Sequence, residues 1–132
     1  MQPERDPQPV TQRRQSGQMN HHGGASAEQC VAADYARRGR PVIGQRWRGT
    51  AGEIDLIARE GDSVVFVEVK KSRSHAAALA RISRRQMERI MQTAQEFLGT
   101  LPTGQLTDIR FDVAVVDSAG RIEVLENAFA GY

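Results

Sequence analysis

The sequence predicts one α/β domain of about five strands flanked by helices, and three observations carry that expectation. Apolar residues recur at helical spacing over 25–38 and 83–98; Gly39 and Pro41 stop the first stretch, and Ser83 is placed to cap the second. Period-two alternation marks 41–48, a hairpin over 52–70, and two later strands over 108–116 and 121–125. The 132 residues suffice for one core, and Cys30 is the only cysteine, so no internal disulfide can form.

Within this frame the hairpin carries acids where a strand pair would normally carry apolar or neutral residues. Ile54, Leu56 and Ala58 alternate with Glu53, Asp55 and Ile57 on the outgoing strand; Val65, Val67 and Val69 alternate with Val64, Phe66, Glu68 and Lys70 on the return. A turn centred on Glu60-Gly61 pairs Arg59 with Asp62, Asp55 with Phe66 and Glu53 with Glu68. That register leaves one oily face, which the apolar stripe of 83–98 is suited to cover, and gathers Glu53, Asp55, Glu68 and Lys70 on the other. Like charges facing each other on a partly covered surface are unfavourable and need an offsetting charge. A divalent cation provides one, since carboxylates on diagonal neighbours about 7–8 Å apart at Cα can converge on a single ion.

Asp55 followed by Glu68-Val69-Lys70 on the next strand resembles the pattern of the PD-(D/E)xK nuclease superfamily. A longer string is similar to the YraN-type family of endonuclease-like bacterial proteins: Arg46-Trp47-Arg48, the run from Gly52 to Arg59, the run from Val65 to Lys70, then Arg110-Phe111-Asp112-Val113 and Asn127-Ala128-Phe129. The resemblance covers about residues 24–130. It implies a restriction-endonuclease-like fold, with a central mixed sheet between helices. It further implies Mg²⁺ or Mn²⁺ held by Asp55, Glu68 and the Val69 carbonyl, with Glu28 acting directly or through water. Glu28, Asp55, Glu68 and Lys70 would form the catalytic set, Lys70 orienting water or stabilising charge at the phosphate. Within the superfamily the arrangement looks most like archaeal Holliday-junction resolvases, which implies DNA rather than RNA, branched substrates and a homodimer. Lys71 and Ser72 depart from the Thr and Arg often found after the lysine in such proteins.

Charge distribution points the same way more weakly. The net charge is only +2, yet Lys70, Lys71, Arg73, Arg81, Arg84, Arg85 and Arg89 follow the acids with Glu88 as the single acid among them. Such a stretch attracts a polyphosphate, with Lys71, Arg73, Arg84 and Arg85 as the candidate phosphate contacts, or is simply a solvated helix face. The alternative function is a non-catalytic nucleic-acid-binding or assembly protein that keeps the nuclease fold.

Other residues have two readings each. Glu28 is either a solvated acid at a helix start or an acid turned toward the sheet, since Val31, Ala32 and Tyr35 share its face. Gln86 completes a capping box with Ser83 or, as the resemblance to the nuclease superfamily implies, steadies the acids from its helix, and Glu53 has no assigned step. Trp47 is a core or rim residue between two arginines. Asp112 is expected to fix the sheet through Arg110 or another basic residue. His75 falls in a stretch, 72–81, expected to be loop.

Residues 1–24 are rich in Gln, Pro, Arg and Gly and are expected to be disordered, with His21-His22 incidental. No apolar run approaches the ~20 residues of a membrane span, and the N-terminus lacks a signal-peptide centre, so a soluble, cytoplasmic protein is expected.

Overall fold

A computed structural model of the chain describes residues 24–130, so the predicted N-terminal tail lies outside the described residues apart from Gly24. Five strands form one sheet in sequential order: β1 (Val42–Arg48), β2 (Glu53–Glu60), β3 (Ser63–Lys71), β4 (Ile109–Val116) and β5 (Ile122–Leu125). Only β3 and β4 pair in parallel, which makes the sheet mixed. A parallel pair needs a crossover, and here it contains α2 (His75–Ala80) and α3 (Arg84–Leu98), while α1 (Gly24–Arg37) precedes the sheet. Helices cover both faces of the sheet, in the restriction-endonuclease-like α/β arrangement that the sequence predicts.

The two helix layers are not those expected from the hydrophobic pattern. The oily face of Leu56, Ala58, Val65 and Val67 is covered by Ala27, Val31 and Tyr35 of α1, and not by α3. Met87, Ile90, Ala94, Phe97 and Leu98 of α3 instead cover Ile57, Val64, Phe66, Val113 and Val115. Both faces of the hairpin are apolar around its middle, so pattern alone could not choose between them. Topology chooses: a crossover joining parallel neighbours is confined to one hand, which sends α3 to one side and leaves the other to α1. Aromatic size fits that choice, with Phe97 edge-on to Phe66 at 5.9 Å and to Trp47 at 5.4 Å between ring centroids. Trp47 is thus a half-buried lid at the rim of this layer.

The hairpin register differs from the expected one by two positions. Glu60 pairs with Ser63, Ile57 with Phe66 and Leu56 with Val67, so the turn is Gly61-Asp62 and not Glu60-Gly61. Gly61 has a φ of +60°, and a glycine first in a two-residue turn is what a II′ hairpin uses. Because the shift is even, the side chains keep their faces. One does not: Ile54, expected beside Leu56, packs with Ile57 in the α3 layer, beyond the point where the β2–β3 pairing ends.

The stretch expected to be loop at 72–81 contains α2, capped by Ser74, whose hydroxyl accepts from the Ala77 amide at 3.1 Å. A run of alanines has high helix propensity but no apolar period, so a periodicity search passes over it.

On β4, level with Val67 of β3, Asp112 is 1% exposed and receives four hydrogen bonds, from the Tyr35 hydroxyl at 2.7 Å, the Asn127 amide at 3.0 Å, and Arg110 at 2.9 and 3.2 Å. Arg110 continues to Glu60 at 2.7 Å, and Arg40 joins Glu60 to Glu126, each at 2.9 Å. This network ties α1, β2, β4 and the C-terminal segment together. Asp112 has the structural role expected of it.

Candidate functional site

The site begins where two strands part. The β2–β3 pairing ends at Leu56 and Val67, and beyond it the Val69 amide donates to the Asp55 carboxylate at 2.8 Å in place of a main-chain acceptor. Asp55 therefore closes the fork with its side chain. Glu68, on β3, is 9% exposed and lies beside Asp55. The Lys70 ammonium is 3.3 Å from Glu68 Oε2, and Gln86 of α3 donates to the same oxygen at 3.2 Å. Glu28 comes from α1 on the other side, and Arg46 of β1 bridges it to Glu53, at 3.6 and 3.8 Å. Arg48 reaches Glu53 at 3.7 Å.

Burial and mutual repulsion govern the charge on these acids. Glu68 is pushed up to about 7, first by desolvation and then by the neighbouring Asp55 charge, with Lys70 acting against both. Asp55 is also raised by burial, although the Val69 amide opposes the shift. Each carboxyl makes ionisation of the other less favourable, and the Lys70 ammonium works against that for both. Glu28 is raised by burial and then by Asp55, with Arg46 lowering it. With every acid ionised, Glu28, Glu53, Asp55 and Glu68 exceed in charge the three adjacent cations Arg46, Arg48 and Lys70.

That surplus tests whether a cation fits. The buried Glu68 carboxyl beside the half-buried Asp55, with Glu28 as a third acid near Asp55, forms a hard-oxygen donor set that a divalent ion would satisfy. Asp55, Glu68, the Val69 carbonyl and Glu28 have the chemistry for it. Among the described residues, however, no three His, Cys, Asp or Glu side chains are assembled as a ready-made metal cage. The donors are neighbours, with Lys70 paired to Glu68 and Arg46 to Glu28.

A cavity of about 350 Å³ opens beside the cluster, lined by Ala27, Glu28, Val69, Lys70, Lys71 and Arg81. Arg81 donates to the Lys71 carbonyl at 2.6 Å, fixing the end of α2 to the end of β3. Lys71, Arg73, Arg84 and Arg85 are exposed, the first two at the end of β3 and the others at the start of α3. The fold thus brings together Glu28, Glu53, Asp55, Glu68, Val69, Lys70 and Gln86, as the sequence predicts. Ser83 caps α3 through the Gln86 amide at 3.0 Å, but the Gln86 side chain turns to Glu68 instead of completing the capping box. Sequence reasoning missed Arg81 as a wall of the cavity and Arg46 as a partner of two acids. The basic run contained the first, and the pairing of Arg46 with Glu28 had no sequence signal. His75 lies half-buried at the start of α2, and its Nε2 is buried with no hydrogen-bond partner among the described residues.

Fold and cluster together define the class: a restriction-endonuclease-like α/β domain with an Asp and a Glu-x-Lys at the fork of its sheet. The model of uncharacterised protein family UPF0102 matches residues 27–116, and the chain belongs to that family. A UPF0102 protein of Cereibacter sphaeroides (strain KD131 / KCTC 12085) is 64% identical over 115 residues, 87% of this chain and 98% of its own. One from Ruegeria pomeroyi is 57% identical over 113 residues, 86% of this chain and 92% of its own. Another, from Dinoroseobacter shibae, is 46% identical over 124 residues, with 93% and 92% covered. Among the described residues no helix is long and apolar enough to cross a membrane.

Proposed function

We propose that this protein is a metal-dependent endonuclease that hydrolyses phosphodiester bonds of nucleic acid, DNA in preference to RNA, with branched DNA as a candidate substrate. The meeting of Asp55, Glu68 and Lys70 where β2 and β3 part carries the reading: Asp55 accepts from the Val69 amide at 2.8 Å, and the Lys70 ammonium stands 3.3 Å from the buried Glu68. Asp55, Glu68, the Val69 carbonyl and Glu28 would hold Mg²⁺ or Mn²⁺. When bound, the ion supplies Lewis acidity to the phosphate and to the attacking water. Lys70, beside Glu68, places a positive charge where negative charge develops on the phosphate. Gln86 donates to the Glu68 oxygen that Lys70 also approaches and so restrains that carboxyl. Lys71, Arg73, Arg84 and Arg85 draw in the phosphate backbone, which makes binding fall with added salt.

The test is cleavage of labelled duplex, flap, single-stranded and four-way-junction DNA, with RNA counterparts, in Mn²⁺ or Mg²⁺. Cleavage by the wild type that is lost in Asp55→Asn and Lys70→Ala supports the proposal; equal cleavage by all three overturns it. A second reading is a binding or assembly protein without cleavage, favoured by the lack of a preassembled metal cage among the described residues. Salt-sensitive nucleic-acid binding with no cleavage and no response to Mn²⁺ would establish that reading instead.

A further inference from the structure

Arg46 holds a backbone conformation that its residue type disfavours. It lies within β1, yet its φ is +51°, the left-handed region. Crowding between Cβ and the carbonyl makes that region unfavourable for most residues, while glycine and asparagine tolerate it best. Backbone demands alone would be better met by either. The side chain gives the arginine its purpose there.

On each side of Arg46 the strand pairs regularly, Gln45 with Leu56 and Trp47 with Ile54, so the irregular residue faces the position of Asp55. The guanidinium Nε stands 3.6 Å from Glu28 and 3.8 Å from Glu53, linking α1 to β2 across the mouth of the acid cluster. The side chain is 62% exposed, so solvent screens the pair and a competing charge can displace it. Lys70 differs, at 20% exposure and 3.3 Å from Glu68. One cation is built into the site and the other rests on its rim.

We propose that Arg46 is an exchangeable counter-ion. It holds Glu28 against Glu53 while no divalent cation is present, and it gives Glu28 up when one enters. This rests on the cation site described under Proposed function. Its direct consequence is competition: the guanidinium repels an incoming cation and weakens the site's affinity for it.

Calorimetric titration of the full chain with Mn²⁺ tests the exchange without any activity assay. Arg46→Asn suits the backbone and removes the charge; Arg46→Lys keeps the charge; Asp55→Asn removes a donor of the cation site. Removing one positive charge several ångströms from the ion is expected to tighten Mn²⁺ binding about fivefold to tenfold in Arg46→Asn. Arg46→Lys is expected to stay within about twofold of wild type, and added NaCl to shrink the gap between Arg46→Asn and wild type. Binding by Arg46→Asn that equals or falls below a wild-type affinity sensitive to Asp55→Asn overturns the exchange and leaves the cation site standing. A wild type that binds no Mn²⁺ overturns both. Arg46→Gly, which also tolerates the backbone, serves as the second uncharged variant and carries the same expectation.

Discussion

Asp112 and Glu68 lie on neighbouring strands and are similarly hidden, at 1% and 9% exposure, but the protein surrounds them in opposite ways. Asp112 receives four hydrogen bonds, two of them from a guanidinium, and Arg110 passes on to Glu60. Its partners answer to it: the Tyr35 hydroxyl is raised by burial and by the Asp112 bond, and Arg110 is raised by that same carboxylate. Glu68 receives Gln86 and Lys70 on a single oxygen and faces another acid, and it rises to about 7. A buried acid with a full set of donors stabilises the native state by fixing geometry. One that is short of them leaves a charge deficit, the condition associated with functional sites.

This contrast is open to direct attack. Asp112→Ala leaves Arg110 and the Tyr35 hydroxyl without their buried acceptor and is expected to cost about 3–5 kcal/mol, read from the denaturant midpoint at constant slope. A loss below 1 kcal/mol would deny the node its role. Glu68→Gln is expected to move the other way, raising stability without metal by about 2–3 kcal/mol at pH 8, because it removes a buried charge facing Asp55.

The pH dependence of that difference has a fixed sign. Glu68 binds its proton more tightly folded than unfolded, so its contribution to stability is lost as pH rises from about 4.5 to about 7 and is constant above. The advantage of Glu68→Gln over wild type should therefore grow across that window. A gap that is flat or shrinks as pH rises would remove the shifted glutamate. Tyr35→Phe is expected to produce the smallest change, about 1.5 kcal/mol, since Asp112 keeps Arg110 and the Asn127 amide.

Much of the site was legible because its chemistry is local in sequence. Asp55 and Glu68-Val69-Lys70 are acids and a lysine inside strand patterns, and an acid there signals a reason for its burial. Glu28 was readable from helical spacing, whereas the place of Gln86 beside a cap pointed to a capping box and only the resemblance to the nuclease superfamily pointed to the acids. The hairpin turn was legible too and was misread: Gly61-Asp62 is a recognised two-residue signal, but a turn on Glu60-Gly61 gives the same alternation of faces. Only the pairing distance separates the two, and side-chain pattern does not encode it.

What the amino-acid order determined by itself was the identity and bounds of the strands, the two long helices and the acids between them, because propensity, alternation and capping act over a few residues. Which helix covers which face, where β2 and β3 separate and how Arg46 is held were decided only in the tertiary structure. These depend on the hand of the β3–β4 crossover and on charges that meet from α1, β1, β2 and β3, far apart along the chain. The Asp55–Val69 bond belongs to both levels: sequence put Asp55 and Glu68-Val69-Lys70 on one hairpin, and the parting of the strands let the carboxylate meet the amide.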